Sequence, residues 1–228
     1  MLDVSNLQVS YGQSQVIHNM SFTMGKEESL AVMGRNGMGK TTLFKALIGI
    51  LPSEGKLMLN GQDISGMSSH QRVAAGLAYV PQGRMIFSNL SVQENIEAGL
   101  ETARAKKVPS EIFDLFPVLH DMRHRKGGNL SGGQQQQLAI ARALVSEPKV
   151  LLLDEPTEGI QPSIIKEIAA TLNEIRAMKK IAILVSEQVL SFTMEMADRL
   201  AVIEKGSIVH EERRETADQA KIASFLAV

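Results

Sequence analysis

Short, largely apolar runs recur along the chain and predict the strands of a buried sheet. The clearest are residues 29–33, 77–80, 150–153, 181–185 and 199–203. Runs of this length without polar alternation are typical of parallel strands covered on both faces. Apolar residues recur at helical spacing between them, most clearly after Pro162, where Ile164, Ile168, Leu172 and Ile175 share one face. The pattern therefore predicts an α/β fold.

The N-terminal region follows a different pattern. Residues 2–24 predict short strands with turn residues at Asn6 and Gly12. Residues 56–63 predict a hairpin around Asn60 and Gly61, a dipeptide that favours a tight turn. Together these segments predict an antiparallel β subdomain.

The middle and the end of the chain complete the predicted organisation. Residues 83–145 show helical patterns without a convincing strand and predict an inserted helical subdomain. The tail predicts a hairpin at Lys205 and Gly206 and then a short helix to Val228. We expect a single domain over residues 1–228, with residues 1–82 and 146–228 forming the core and the β subdomain.

Composition narrows the class of protein. Hydrophobic residues make up 44% of the 228 residues and charged residues 21%, as in an ordinary globular domain. The net charge of −1 offers no broad basic face for nucleic acid, and the lack of cysteine excludes disulfides and thiol chemistry. No apolar stretch approaches the roughly 18 residues of a membrane span, and the N-terminus lacks a signal-peptide pattern. We expect a cytoplasmic protein that reaches a membrane only by docking on another subunit.

A glycine-rich segment predicts a phosphate site. Residues 34–41, with the sequence GRNGMGKT, match the phosphate-loop pattern and lie between a predicted strand and a predicted helix. In that context backbone N–H groups surround phosphate oxygens, and Lys40 adds a positive charge at the β- and γ-phosphates. The Thr41 hydroxyl is a ligand for Mg²⁺. The alternative is a glycine turn that binds nothing, but the flanking pattern favours ATP with Mg²⁺.

Two carboxylates follow the apolar run 150–153. Asp154 stands at the carboxyl end of a predicted parallel strand, where it can reach the same Mg²⁺ as Thr41. Glu155 is the next residue, points elsewhere and can polarise an attacking water. A pair of acidic residues often merely ends a strand, but here a phosphate loop accompanies it.

A third motif, LSGGQ at residues 130–134, precedes a predicted helix at 135–145 and predicts a second anion site. The order of the three motifs resembles that of the ABC ATPases over the whole chain. The resemblance implies a phosphate-loop α/β core with the two predicted subdomains. It also implies two subunits packed head to tail, each ATP lying between the phosphate loop of one and the LSGGQ motif of the other.

The same resemblance assigns roles to further residues. Tyr11 matches an aromatic that stacks on adenine, and Gln82 matches a glutamine that reaches Mg²⁺ or the attacking water. Gln188 stands where most of the family carry a histidine that contacts the γ-phosphate. The predicted nucleotide-binding residues are Tyr11, Gly34, Arg35, Asn36, Gly37, Met38, Gly39, Lys40, Thr41, Thr42, Ser131, Gly132, Gly133 and Gln134. The predicted catalytic residues are Glu155, Lys40, Gln82 and Gln188, and the predicted metal ligands are Thr41, Gln82 and Asp154.

Longer motif sequences point to a type of transporter. GRNGMGKTT, PQGRMIF, LSGGQQQQLAIARAL and DEPTEGIQPSII look most like the ATP-binding subunits of urea importers, with importers of branched-chain amino acids or short-chain amides as the alternative. That resemblance implies a second, different ATPase subunit, two membrane-spanning permease subunits and a solute-binding protein. A soluble ABC ATPase for DNA repair or translation, or a regulator that does not hydrolyse ATP, is a more remote reading.

Overall fold

Two β-sheets carry the architecture, seen here in a computed structural model that describes residues 2–102 and 106–227. The strands in this part of the chain are β1 (Leu2–Tyr11), β2 (Ser14–Met24), β3 (Ser29–Met33), β4 (Glu54–Leu59), β5 (Gln62–Asp63), β6 (Leu77–Val80), β7 (Val150–Asp154), β8 (Ala182–Glu187), β9 (Arg199–Glu204) and β10 (Ser207–Arg213). The helices are α1 (Lys40–Leu47), α2 (Ser69–Ala75), α3 (Val92–Glu97), α4 (Ser110–Leu115), α5 (Pro117–Asp121), α6 (Gly132–Leu144), α7 (Pro162–Lys179), α8 (Leu190–Met196) and α9 (Gln219–Leu226). Short 3₁₀ turns lie at Ala98–Thr102, Gly127–Asn129 and Arg214–Thr216.

The larger sheet contains every apolar run that the sequence predicts as a core strand. Its order is β10-β9-β3-β8-β7-β6, and all neighbouring pairs are parallel except β9 with β10. Residues on β3 alternate between two hydrophobic clusters, with Ala31 and Met33 on one face and Leu30 and Val32 on the other. The sheet is therefore covered on both sides, which explains why its strands are apolar throughout.

The smaller sheet confirms the predicted antiparallel β subdomain but corrects its details. Its order is β2-β1-β4-β5, and Asn60 and Gly61 make the predicted turn before β5 with φ angles of 49° and 83°. The predicted turn at Asn6 is wrong, because β1 runs without a break from Leu2 to Tyr11. Asn6 has φ 53° at a register shift between β1 and β2, so it forms a bulge in one long strand.

The segment predicted as a helical subdomain, residues 83–145, holds α3 to α6 and one isolated bridge between Ser91 and Lys126. Its buried side chains, such as Ile112 and Leu119, belong to the same cluster as Leu151 of the larger sheet. The insert therefore packs directly on the sheet, and its limits at 83 and 145 remain a prediction.

The hairpin between β9 and β10 anchors the smaller sheet against the larger one. Gly206 has φ 76°, and a Cβ there would lie 1.8 Å from the Val16 carbonyl oxygen, so the close approach requires glycine. The Gly206 carbonyl accepts a hydrogen bond from His18 N (3.0 Å), and Gly206 N donates to the Met38 carbonyl (3.0 Å). The contact fixes β2 beside the loop that follows β3.

The tail forms the predicted hairpin and then α9, which ends at Leu226, while Val228 lies outside the described residues. None of the helices in the described ranges is long and apolar enough to cross a membrane.

Candidate nucleotide-binding site

The loop between β3 and α1 lies at the carboxyl end of the parallel sheet. Gly39 caps α1 with φ 104°, a conformation that favours glycine. A Cβ at Gly34 would lie 2.6 Å from the Ile203 carbonyl oxygen of β9, so this position also requires glycine. The two glycines let the backbone turn tightly from the strand into the helix, whose first N–H groups face the loop.

An open cleft of about 200 Å³ lies over this loop. Its lining comes from four separate segments, namely Val16, the loop and first turn of α1, Gln82 and Glu155. From the loop and α1 the lining residues are Asn36, Gly37, Gly39, Lys40, Thr41 and Thr42. The structure thus brings six of the residues predicted to bind nucleotide together with Gln82 and Glu155, which are predicted to act in catalysis along with Lys40.

Lys40 is almost completely buried at the base of the cleft. Its Nζ donates to the carbonyl oxygens of Gly34 (2.6 Å) and Arg35 (3.0 Å) and forms an ion pair with Glu155 Oε1 (3.0 Å). Side-chain exposure is 3% for Lys40 and 9% for Glu155, so water screens this pair only weakly. An anion that enters the loop would compete with Glu155 for the ammonium group.

Glu155 is the point on which the predicted catalytic side chains converge. Besides Lys40, Gln188 Nε2 donates to its Oε1 (3.2 Å) and Gln82 Nε2 to its Oε2 (3.4 Å). Its backbone has φ 46°, and its N–H is held by the carbonyl and hydroxyl oxygens of Ser186. A left-handed conformation is costly for a residue with a side chain, and it turns Glu155 away from the line of β7 toward the cleft.

Asp154 is a buried carboxylate that accepts three hydrogen bonds. The donors are Ser186 Oγ (2.6 Å), the Tyr79 hydroxyl (3.1 Å) and Thr41 Oγ1 (3.3 Å). Burial raises the pKa of Asp154, and the hydrogen bonds oppose that rise. Burial also raises the pKa of Tyr79, so its hydroxyl keeps its proton and can donate.

Sequence reasoning missed Tyr79 and Ser186 as partners of Asp154. Ser186 stands directly opposite Asp154 in the register between β7 and β8, and Tyr79 lies on β6 beside β7. Both are polar positions in otherwise apolar runs, near the carboxyl ends of their strands. That local exception is the signal that could have identified them.

Gln188 links the loop to Glu155. Its Nε2 donates to Asn36 Oδ1 (2.8 Å) as well as to Glu155 Oε1 (3.2 Å). The side chain therefore spans from the phosphate-loop segment to the carboxylate that is predicted to act on water.

The LSGGQ segment does not contribute to this cleft. Ser131 caps α6 by accepting a hydrogen bond from Gln134 N, while the Gln134 side chain accepts one from Ser131 N. Gly133 packs against Ile164, where a Cβ would lie 2.7 Å from Cγ2, and Gly132 lies beside Gly159 and Arg84. The structure does not bring these predicted ligands to the phosphate loop of the same chain.

Five other predicted ligands lie outside the lining of the cleft, namely Tyr11, Gly34, Arg35, Met38 and the predicted metal ligand Asp154. Tyr11 ends β1 with its side chain 48% exposed. The Arg35 side chain donates to the Ala227 carbonyl (3.3 Å), and the backbone N–H of Lys205 donates to the Met38 sulfur (3.4 Å).

The chain is similar to known ATP-binding proteins of transport systems. A family model described as "ABC transporter" matches residues 17–158. The chain is 35% identical to the high-affinity branched-chain amino acid transport ATP-binding protein BraG of Pseudomonas aeruginosa, covering 92% of this chain and 91% of that protein. It is 34% identical to the probable branched-chain amino acid transport ATP-binding protein LivF of Archaeoglobus fulgidus, over 91% and 90%. It is 32% identical to the lipopolysaccharide export system ATP-binding protein LptB of Haemophilus influenzae, over 92% and 89%.

Solved structures show the same fold. The chain superposes on MJ1267, an ATP-binding cassette of an ABC transporter, with a TM-score of 0.86 and 25% identity over 100% of this chain and 99% of that one. The ADP conformation of MJ1267 gives a TM-score of 0.81 and 25% identity, over 99% and 97%. The predicted fold class is therefore confirmed.

Proposed function

The chain belongs to the ABC transporter family of ATPases, and from this premise we propose that it binds MgATP in the cleft around Lys40 and hydrolyses it to drive solute uptake through membrane-spanning partners. The observation that supports this function most strongly is the convergence of Lys40, Gln82 and Gln188 on the Glu155 carboxylate. A glycine turn without a ligand would not need a buried lysine facing a buried carboxylate.

Phosphate binding is assigned to the loop and the first turn of α1. The backbone N–H groups of residues 36–41 would surround the β- and γ-phosphates, and Lys40 Nζ would turn from Glu155 to the phosphate oxygens. The Thr41 hydroxyl oxygen and the Asp154 carboxylate oxygen Oδ1 lie 3.3 Å apart, and both can act as metal ligands. The Gln82 side chain adds an amide oxygen. Oxygen ligands of this kind suit Mg²⁺. When bound there, Mg²⁺ would supply positive charge that offsets the negative charge of the phosphates.

Hydrolysis is an in-line attack of water on the γ-phosphorus. The Glu155 carboxylate, once separated from Lys40, would orient the water and take its proton as the new P–O bond forms and the bond to the ADP oxygen breaks. Gln188 would hold Glu155 in position, since its amide already donates to Oε1 of that carboxylate. The protein contributes mainly position and charge.

Substitutions of Gln188 give the first test of the proposed hydrolysis. Replacing it by alanine should lower kcat about 10-fold, because the amide that joins Asn36 to Glu155 is lost. Replacing it by histidine should preserve or raise kcat, since an imidazole can also donate to Glu155 or to a phosphate. Phosphate release at saturating MgATP measures both, with Gln62→Ala in the exposed hairpin as a control. An unchanged rate in the alanine variant would remove Gln188 from the site.

We further propose that a second ATPase subunit completes the site. Ser131 and Gly132 lie at the N-terminus of α6, away from the cleft of their own chain, and this end of the helix can receive the phosphates of another subunit. Since Gln188 replaces the usual histidine, we propose that the partner is a different subunit that carries one. A stable homodimer with vigorous ATPase activity would contradict this proposal.

An apolar groove supports docking to the permease subunits. It has a volume of about 400 Å³ and lies between the helical segment and the sheet. Met85 and Phe87 stand at its edge with exposures of 68% and 50%, and Arg142 holds the segment by donating to the Met85 carbonyl (2.8 Å) and lying over the Phe87 ring. Exposed apolar side chains of this size favour a protein interface. A solute-binding protein would act on the permease rather than on this chain.

For the solute, we propose a branched-chain amino acid, with urea as the second candidate. The identity to BraG and LivF favours the amino acid, whereas the longer motif sequences favour urea. Deleting the gene should abolish high-affinity uptake of isotope-labelled leucine and leave urea uptake intact. Loss of urea uptake alone would favour the second candidate, and loss of neither would leave the exporter relatives, such as LptB, as the better guide.

A further inference from the structure

Glu187 is a buried carboxylate to which the mechanism above gives no role. It ends β8 and is 2% exposed. No ion pair in the described part of the chain involves it. A buried carboxylate without a cation is costly unless hydrogen bonds compensate for the lost water.

Both oxygens of Glu187 are saturated by donors from two different segments. Oε1 accepts from Thr157 N (3.0 Å) and Thr157 Oγ1 (2.6 Å). Oε2 accepts from Gln188 N (2.9 Å) and Val189 N (3.2 Å). Burial raises the pKa of Glu187, and these four hydrogen bonds oppose the rise. Only a carboxylate places an acceptor on both sides, because an amide would present N–H groups to one pair of donors.

The two segments joined by Glu187 lead to different parts of the molecule. Thr157 is two residues beyond Glu155, and its loop continues to Glu158 and Gly159, which contact Arg84 and lie next to Gly132 of the LSGGQ segment. The other segment carries Gln188, whose amide reaches Asn36 and Glu155. One buried side chain therefore connects the loop beside the LSGGQ segment with the residue that contacts the predicted base.

We infer that Glu187 is a positioning residue that fixes the backbone of residues 188–189 against the loop at Thr157, so that the Gln188 amide stays on Glu155. It touches neither the cleft nor a reacting atom and acts through Gln188. This role rests on the proposed hydrolysis of MgATP.

Glu187→Gln is the most direct probe, since it keeps the shape and removes one acceptor. It should lower kcat about 10-fold with KM for ATP within about twofold, because orientation at the base is lost while phosphate contacts remain. In a Gln188→Ala background the same change should cause no further loss, because the residue it positions is gone. Additive losses in the double variant, or a parental kcat in the single one, would overturn the inference.

A second measurement does not depend on activity. Hydrogen exchange in Glu187→Gln should rise at the amides of Thr157, Gln188 and Val189 together. Thr157→Val, which removes only the hydroxyl donor, should produce a smaller rise at the same amides. Asp198→Asn is the matched control, because Asp198 is a carboxylate that accepts hydrogen bonds from Ser29 and Arg176 at the opposite end of the strands. This control variant should lower Tm without changing kcat.

These two measurements separate the possible failures. If the parental protein does not hydrolyse ATP, the proposed function fails, while hydrogen exchange still decides whether Glu187 joins the two segments. If exchange rises at Thr157 alone, or at none of the three amides, Glu187 does not hold the Gln188 backbone.

Discussion

Replacing Glu155 by glutamine should reduce phosphate release at least about 100-fold, the scale on which a general base contributes to a hydrolysis. The variant keeps the shape of the side chain and one acceptor oxygen for either Gln82 or Gln188, but it cannot take the proton of the attacking water. Glu158→Gln is the matched control, since Glu158 is an exposed carboxylate in the same loop. Phosphate release by Glu155→Gln at the parental rate would show that another group is the base.

The same variant should bind ATP at least as tightly as the parental protein. Glu155 Oε1 lies 3.0 Å from Lys40 Nζ, so its carboxylate competes with phosphate for the ammonium group and repels the γ-phosphate. A neutral amide removes both effects. Weaker ATP binding by Glu155→Gln, measured by fluorescence titration, would contradict this view of the pair.

Replacing Lys40 by alanine should abolish hydrolysis for a different reason. The variant loses a charge-assisted contact worth about 1.5–3 kcal/mol, and no other cation lines the cleft in the described part of the chain. It also leaves Glu155 buried without its cation, which should cost up to about 3 kcal/mol of folding free energy. Phosphate release and thermal unfolding measure the two losses, with Lys45→Ala of the same helix as the control.

The double variant Lys40→Ala, Glu155→Gln separates these two effects. Removing the stranded carboxylate should restore much of the lost Tm, while hydrolysis stays absent. A double variant as unstable as Lys40→Ala alone would show that the lysine stabilises the loop through the Gly34 and Arg35 carbonyls instead.

The sequence predicts those parts of the fold and the site that depend on local chemistry. The apolar runs identify the core strands because a strand covered on both faces must be apolar along its length. The glycine loop and Lys40 can be found because a tight turn over phosphates needs glycines at fixed spacing. The carboxylates after residues 150–153 follow from the end of the same strand.

The remaining features depend on which strands are neighbours. Tyr79 and Ser186 reach Asp154 only because β6 and β8 flank β7. The amino-acid sequence alone does not reveal this order of strands in the sheet. The hydrogen bonds of Glu187 likewise depend on the fold, because Thr157, which donates to it, lies 30 residues away in the sequence. The predicted turn at Asn6 is wrong for a local reason, since an asparagine with a left-handed backbone occurs both in turns and in bulges.

The identity of the proposed solute does not follow from the residues that line the cleft. The cleft lined by Lys40, Thr41 and Glu155 is proposed to bind phosphates, and the solute would pass through the permease subunits instead. Similarity to BraG and LivF therefore favours the proposed branched-chain amino acid, and uptake of labelled leucine and urea distinguishes the two candidates.

Calorimetric titration of the purified chain with MgATP tests most directly whether the cleft around Lys40 is a nucleotide site. We expect saturable binding of one ATP per chain, preserved in Lys45→Ala and weakened about 10- to 150-fold in Lys40→Ala, as the loss of one charge-assisted contact implies. Absence of binding, or equal affinity in Lys40→Ala and the parental protein, would contradict the assignment of this cleft to ATP.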